Sequence, residues 1–202
     1  MDYFLLILFY LIGSINFAYI VSKFKNIDIS KSGSGNPGTS NVMRTMGRKF
    51  AVLVLMGDLS KGLLPVVLFP NDENLIFYCL VAIIGHIFPI FYGLNGGKGV
   101  ATYVGAYIGI TQLNPFDLII FESIYFQIFN IPIFALVYFL IIKFLRVSAV
   151  ASLITVGLTS MLLLININLL EFRAVIVLIN ILILVKHSEN LKRLINGEEN
   201  KF

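Results

Sequence analysis

The sequence is poor in charge, and this scarcity excludes most classes of soluble protein. Only 13% of the 202 residues are charged, whereas 58% are hydrophobic and the mean hydropathy is +0.91. A soluble domain of this length carries about twice that charged fraction. We therefore expect an all-α integral membrane protein, because helices satisfy their own backbone hydrogen bonds in lipid.

Two further absences narrow the class. A single cysteine, Cys79, excludes an intrachain disulfide and a cysteine-based metal cluster, and we expect neither a metal nor another cofactor. The N-terminus lacks the basic segment and the small-residue cleavage site of a signal peptide. We interpret it as a retained first span.

Seven apolar runs approach the roughly 20 residues that cross a bilayer. They cover residues 3–21, 50–69, 75–92, 100–113, 118–142, 148–165 and 172–185. The fourth and seventh runs are short and require flanking residues or a thinner bilayer. Because the connecting loops are short and no internal repeat is found, residues 1–202 are predicted to form a single domain.

Three glycine-rich, basic blocks interrupt these apolar runs. They are residues 32–41 with Arg44, residues 93–99, and residues 187–198. Glycines expose backbone N–H groups and the neighbouring Lys and Arg supply positive charge, so each block is equipped to hold an anion. The blocks therefore predict a protein that handles phosphate at the membrane surface.

The basic residues predict the orientation of the chain. Among the 15 Lys and Arg residues, Lys61 lies inside a predicted span. With the N-terminus outside, all the others except Arg173 face the cytoplasm, and so does the C-terminus. The outer turns carry acidic residues instead, namely Asp72, Glu73, Asp117 and Glu171. This topology places all three blocks on the cytoplasmic side of the cell membrane.

The first two blocks have different chemistry. Residues 32–41 crowd hydrogen-bonding groups near Arg44, and the alternative reading is a flexible loop of ordinary turn formers. Residues 96–99 open directly into the fourth span, where free helix N–H groups suit phosphate. The alternative there is a tight turn with one snorkelling lysine. Lys98 is followed by Gly99 rather than Ser or Thr, so this is not a nucleotide-binding P-loop.

The third block follows the seventh span. If the helix continues, His187, Asn190 and Arg193 share one face at three-residue spacing. The alternative is an amphipathic, basic tail that lies on anionic lipid.

Ionisable residues also lie inside two predicted spans. Asp58 and Lys61 have the spacing of an ion pair and should face the bundle interior, because a charge is costly in hydrocarbon. They either support the site or form a purely structural pair. His86 is interpreted as a hydrogen-bonded packing residue.

These blocks, in this order, resemble the bacterial acyl-phosphate:glycerol-3-phosphate acyltransferases, the PlsY family, over essentially the whole chain. The matching positions are residues 13–14, 34–38, 61–62, 85–86 and 96–102, with Asn41, Arg44, Asp58, His187, Asn190, Arg193, Leu194, Gly197 and Glu198. Two departures are Thr39-Ser40, where the family usually has Ala-Thr, and Leu94-Asn95, where Phe-Lys is common. The second departure removes one basic residue near the site.

The resemblance implies transfer of a fatty acyl group from acyl phosphate to the 1-hydroxyl of glycerol 3-phosphate, which yields lysophosphatidic acid and phosphate in the first acylation of phospholipid biosynthesis. It also implies a seven-span fold with a cytoplasmic active site. The expected partners are both substrates and membrane lipid, with no nucleic acid. The soluble enzyme that produces acyl phosphate is a candidate docking partner.

The resemblance also assigns residue roles. Ser34, Arg44 and Lys98 would hold the glycerol-phosphate side, and the backbone at Gly96, Gly97 and Gly99 would cradle the acyl phosphate. His187 and Asn190 would orient the acceptor hydroxyl, and either His187 or a donor phosphate oxygen takes its proton. Further phosphate-binding residues would be Asn36, Gly38, Asn41 and Thr102. Ser34 would also take part in catalysis. The supporting residues would be Asp58, Lys61, Arg193 and Glu198.

Two other classes fit the residues less well. A small phosphate-ester transporter would place polar breaks at mid-membrane and show internal symmetry, whereas these blocks lie at one surface. The other acyltransferase class that makes lysophosphatidate uses a His-x-x-x-x-Asp pair. Phe91 follows His86 by five residues and Lys192 follows His187 by five, so that pair is absent.

The topology can be tested with an impermeant thiol reagent on single cysteines in a Cys79-free background. Cysteines that replace Asp72 and Glu171 should be labelled in intact cells, whereas those that replace Lys49 and Lys143 should be labelled only after lysis. Labelling of position 143 from outside would contradict the seven-span topology.

Overall fold

Helices are the regular secondary structure of the described residues, 2–113 and 124–201 of a computed structural model, and these contain no β-strand. The all-α prediction is confirmed for this part of the chain. A 3₁₀ turn, Ile90–Tyr92, accompanies the α-helices of this part of the chain. The α-helices are α1 (Tyr3–Ser14), α2 (Phe17–Lys23), α3 (Thr39–Met46), α4 (Arg48–Leu68), α5 (Leu75–Ile87), α6 (Val100–Leu113), α7 (Ile124–Leu145), α8 (Ser148–Asn166), α9 (Leu170–Lys186) and α10 (Ser188–Ile195).

Five helical segments among the described residues are long and apolar enough to cross a membrane. They are Tyr3–Lys23, Arg48–Leu68, Leu75–Tyr92, Ile128–Leu145 and Ser148–Asn166. The other two predicted spans correspond to α6, with 14 residues, and α9, with 17 residues. The start of the predicted fifth span and Asp117 lie outside the described residues. The count of seven spans therefore stays a prediction.

The first predicted span is not one continuous helix. It breaks at Ile15, which adopts an extended conformation between α1 and α2. Asn16 causes the break, because its Oδ1 accepts hydrogen bonds from the N–H groups of Ala18 and Tyr19 at 3.0 and 3.2 Å and so caps α2. Its amide nitrogen donates to the Pro37 carbonyl at 3.4 Å. The break therefore ties the first span to the first glycine-rich block.

The chain divides into two compact units, Met1–Gly109 and Ile110–Phe202. The first unit contains the first two glycine-rich blocks and the second contains the third block. The prediction of a single domain is not tested by this division.

Glycines let the helices of the first unit approach closely. A Cβ on Gly13 of α1 would collide with the Ala82 carbonyl of α5, and one on Gly85 of α5 would collide with the Tyr10 carbonyl. A Cβ on Gly62 of α4 would collide with the Thr102 carbonyl of α6. Small residues at helix contacts are typical of membrane proteins, where packing and not hydrophobicity drives association.

The second unit uses side-chain hydrogen bonds as well as packing. The amide of Asn180 on α9 donates to the Ser160 hydroxyl of α8 at 2.7 Å and to the Ile176 carbonyl at 2.8 Å. A groove of about 500 Å³ lies beside this pair, and Gly157 is part of its wall. These contacts hold α9, whose C-terminal end leads into the third block.

The close contact between α4 and α6 yields a stability prediction. Gly62→Ala should lower the melting temperature in detergent, because its methyl group would meet the backbone of α6 and overpacking costs about 1–3 kcal/mol. Gly157→Ala is the matched control, since a Cβ there meets nothing within 4 Å. An equal effect of the two substitutions would contradict the described packing.

Candidate active site

The loop before α3 is organised around the Asn41 side chain. Asn41 is 1% exposed. Its Oδ1 accepts a hydrogen bond from the Ser34 N–H at 2.9 Å, and its Nδ2 donates to the carbonyls of Ser32 and Ile29 at 2.9 and 3.3 Å. Gly33 has φ +59°, and a Cβ there would collide with the Asn41 amide oxygen. Asn41 therefore shapes the loop that carries Ser34.

Asp28 orders the approach to this loop. Its Oδ1 accepts hydrogen bonds from the Ser30 hydroxyl at 2.5 Å and the Ser30 N–H at 3.1 Å, and its carbonyl accepts from the Ser32 hydroxyl at 2.8 Å. The hydroxyl of Ser30 is the main reason that the pKa of the Asp28 carboxyl lies below its ordinary value. The two hydrogen bonds to the Asp28 carboxylate therefore persist at neutral pH and weaken as the pH falls through that lowered pKa.

The remaining residues of the first block lie around α3. Gly38 precedes the helix in an extended conformation with φ −153°, and Arg44 lies in its last turn. The side chains of Ser34, Asn36 and Arg44 are half-buried. The first unit therefore presents these polar groups together on one short helix and its leading loop.

The second block forms a turn, residues 96–99, that we call the glycine turn. Its Gly97 N–H donates to the His86 carbonyl at 3.1 Å, and Gly99 adopts φ +84° immediately before α6. A Cβ on Gly96 would collide with the same carbonyl. The turn is thus held against the end of α5 and opens into the N-terminus of α6, as predicted.

A buried ionic cluster lies behind the glycine turn. The Lys61 ammonium is 2.8 Å from Asp58 Oδ1 and 3.2 Å from His86 Nδ1, while Asp58 Oδ1 is 3.5 Å from His86 Nδ1. All three residues are at most 3% exposed. The predicted ion pair and the inward orientation of Asp58 are confirmed. His86 is hydrogen-bonded, as predicted.

His86 connects this cluster to the glycine turn. Its ring lies directly against Gly97, since a Cβ on Gly97 would collide with Nε2 and lie 2.9 Å from Cε1. The prediction that His86 is a packing residue missed this contact. The sequence shows only that His86 lies within a predicted span. The contact between His86, near the end of α5, and Gly97 is visible only in the fold.

Thr102 lies in the first turn of α6. It is fully buried, and its Oγ1 has no hydrogen-bond partner among residues 2–113 and 124–201. A buried hydroxyl without a partner is uncommon and calls for an explanation such as a bound ion or water. Thr102 is therefore suited to a ligand that enters beside the N-terminus of α6.

His187 lies between α9 and α10, so the two segments form separate helices and not one continuous helix. Its Nδ1 is 2.8 Å from the Ile183 carbonyl, which can only accept a hydrogen bond. Nδ1 therefore carries a hydrogen, and a neutral His187 ring has its lone pair on Nε2. His187 is 2% exposed. This geometry fits a ring that orients a hydroxyl group or accepts its proton.

Glu199 contacts two residues of the third block. Its carboxylate accepts a hydrogen bond from Asn190 Nδ2 at 2.6 Å and pairs with Arg193 Nε at 3.0 Å. Glu198, for which the sequence predicts a supporting role, is exposed. Two adjacent glutamates follow Gly197 in the sequence. They differ only in the folded protein, where the chain turns back onto α10 and brings Glu199, not Glu198, to Asn190 and Arg193. Glu199 was therefore missed.

The two units thus present different chemistry. The first unit brings Asp58, Lys61 and His86 to the glycine turn, and it brings Asn41 to Ser34. The second unit joins Asn190 and Arg193 through Glu199 and places His187 at the start of α10. Turns with exposed N–H groups and lysine suit phosphate, and a histidine with an acceptor nitrogen suits a hydroxyl.

Comparisons with known proteins agree on one family. The family model described as glycerol-3-phosphate acyltransferase matches residues 3–197. The glycerol-3-phosphate acyltransferase of Ruthia magnifica subsp. Calyptogena magnifica is 38% identical over 202 residues, which cover 98% of this chain and 94% of that protein. The enzyme of the same name from Aquifex aeolicus (strain VF5) is 32% identical, with 98% of each chain covered.

The solved structures give the same result. The crystal structure of PlsY (YgiH), an integral membrane glycerol 3-phosphate acyltransferase, in its glycerol 3-phosphate form superposes with a TM-score of 0.83 at 32% identity, and the match covers 98% of this chain and 94% of that chain. Its lysophosphatidic acid form gives a TM-score of 0.81. The chain belongs to the PlsY family of glycerol-3-phosphate acyltransferases.

Proposed function

We propose that this protein transfers a fatty acyl group from acyl phosphate to the 1-hydroxyl of sn-glycerol 3-phosphate. The hydroxyl oxygen attacks the acyl carbonyl carbon, the new ester bond forms, and the bond from that carbon to the phosphate oxygen breaks. The hydroxyl proton leaves with the phosphate group or passes through His187. The products are lysophosphatidic acid and inorganic phosphate.

The glycine turn carries this proposal. It leads directly into the N-terminus of α6, whose first turn contains the buried hydroxyl of Thr102. A helix N-terminus attracts phosphate through its exposed N–H groups and its dipole. Gly97 N–H is already bonded to the His86 carbonyl, so we assign the contacts with the donor phosphate to the N–H groups of Gly96 and Gly99 and to the Thr102 hydroxyl.

The acceptor is assigned to the loop before α3. Ser34, Asn36 and Arg44 would bind the phosphate of glycerol 3-phosphate, with Gly38 allowing close approach and Asn41 holding the loop. Lys98 would bridge the two phosphates. An acyl phosphate already has a good leaving group, so catalysis needs positioning and charge neutralisation more than a strong nucleophile.

The third block is assigned to the acceptor hydroxyl. His187 presents Nε2 as an acceptor because its Nδ1 donates to the Ile183 carbonyl. Asn190 would lie beside it, held by the Glu199 carboxylate together with Arg193. In this proposal, the active site faces the cytoplasm, in a seven-span fold whose N-terminus lies outside.

The proposed reaction is tested by giving purified protein acyl phosphate and glycerol 3-phosphate and measuring phosphate release and lysophosphatidic acid. Turnover should continue in EDTA, because no metal takes part in the proposed chemistry. Acyl-CoA should be a much poorer donor, since the glycine turn fits a compact phosphate. Equal turnover with acyl-CoA would contradict the donor assignment.

Arg44 and Lys98 yield the sharpest prediction about residues. Arg44→Ala and Lys98→Ala should each lower kcat/KM by roughly ten- to a hundredfold or more, because a hydrogen bond to a charged group contributes about 1.5–3 kcal/mol. Lys143→Ala is the control, since Lys143 is exposed in the last turn of α7 and belongs to none of the three blocks. Wild-type acyl transfer by well-folded Arg44→Ala and Lys98→Ala variants would exclude the proposed phosphate site.

A further inference from the structure

The chain contains two histidines, and the proposed chemistry uses only His187. His86 is buried, lies beside a charged pair and contacts the glycine turn, so its position offers more than packing. The groups around its two ring nitrogens determine which nitrogen carries the hydrogen.

The Nδ1 side of His86 faces an ammonium group. Lys61 Nζ is 3.2 Å from Nδ1, and the same Nζ is 2.8 Å from Asp58 Oδ1 and 5.4 Å from the centre of the Phe17 ring. A carboxylate and an aromatic face both stabilise the charged form of lysine. An ammonium has only donors, so Nδ1 is the acceptor in this contact. The competing acceptor for a hydrogen on Nδ1 is Asp58 Oδ1, which is farther away at 3.5 Å and lies 2.8 Å from the same ammonium.

The hydrogen of a neutral His86 ring is therefore on Nε2. This atom lies against Gly97, in the space that a side chain at that position would fill. The contacts of the His86 ring with polar groups of the described residues are made by Nδ1, and none of these groups accepts a hydrogen bond from Nε2. The glycine at position 97 leaves the donor open toward the turn.

We propose that His86 is a further binding residue, whose neutral Nε2–H donates a hydrogen bond to an oxygen of the phosphate held in the glycine turn. This inference rests on the proposed function, because it takes the turn as the donor phosphate site. Lys61 acts through the ring, since its ammonium fixes Nδ1 as the acceptor, and Asp58 holds that ammonium in place. Gly97 is required because any Cβ would occupy the path of this donor.

The protonation of the two rings can be observed directly by NMR. In protein labelled with ¹⁵N-histidine, the signals of the two rings are assigned with a His187→Gln variant. His86 should carry its hydrogen on Nε2 and His187 on Nδ1, so the two rings should show opposite tautomers. Inorganic phosphate should shift the His86 Nε2 signal. A hydrogen on His86 Nδ1, or no response of His86 to phosphate, would overturn the proposal.

Kinetics with matched variants separate binding from packing. His86→Gln keeps an amide donor near the Nε2 position, whereas His86→Asn keeps one near Nδ1 only. We expect the KM for acyl phosphate to be roughly tenfold or more higher in His86→Asn than in His86→Gln, as for a lost hydrogen bond to a charged group, with similar melting temperatures. Equal KM values in the two variants would show that His86 only packs.

The two proposals fail in different ways. If the wild-type protein does not turn over acyl phosphate, the proposed function is wrong, and the NMR response to inorganic phosphate still tests the His86 contact. If the wild-type protein is active but the two His86 variants have equal KM values, the proposed function stands and the inference about His86 is wrong.

Discussion

Within α4, the Lys61 ammonium lies 2.8 Å from the Asp58 carboxylate, and both residues are 1% exposed. Burial of either charge alone would cost several kcal/mol, so each depends on the other. Such a pair is weak evidence for stability, because apolar residues of similar volume often serve as well. The position of the pair gives a better reason for its presence than stability does. The pair contacts His86, and His86 contacts the glycine turn.

The close helix contacts make this arrangement possible. Gly62 lets α4 approach the backbone of α6, while Gly13 and Gly85 let α1 approach α5. His86 lies near the end of α5, so these contacts bring it between Lys61 and Gly97. The packing of the apolar helices thus sets the positions of the polar groups. The glycines at the helix contacts determine how closely these groups approach one another.

The sequence predicted much of this arrangement because its signals are local. Charge at membrane depth predicted that Asp58 and Lys61 pair inside the bundle, and glycines before an apolar run predicted the turn at the start of α6. The break at Ile15 was missed because Asn16 caps α2 only when the chain turns there. Glu199 was missed because its contact with Asn190 depends on the chain folding back after α10. The surroundings of His86 could not be predicted from the sequence, because they are formed by three separate segments: α4, α5 and the glycine turn.

The most direct measurement of the central claim is the KM for acyl phosphate in a double variant, Asp58→Asn with Lys61→Met, compared with each single variant. The claim is that the ion pair serves the proposed phosphate site and not stability. Each single change leaves one buried group unpaired and should lower the melting temperature, whereas the double variant should recover most of that loss. Its KM for acyl phosphate should nevertheless stay raised by roughly tenfold, as for one lost hydrogen bond to a charged group, because nothing then fixes the His86 ring. A double variant with wild-type KM would contradict the account.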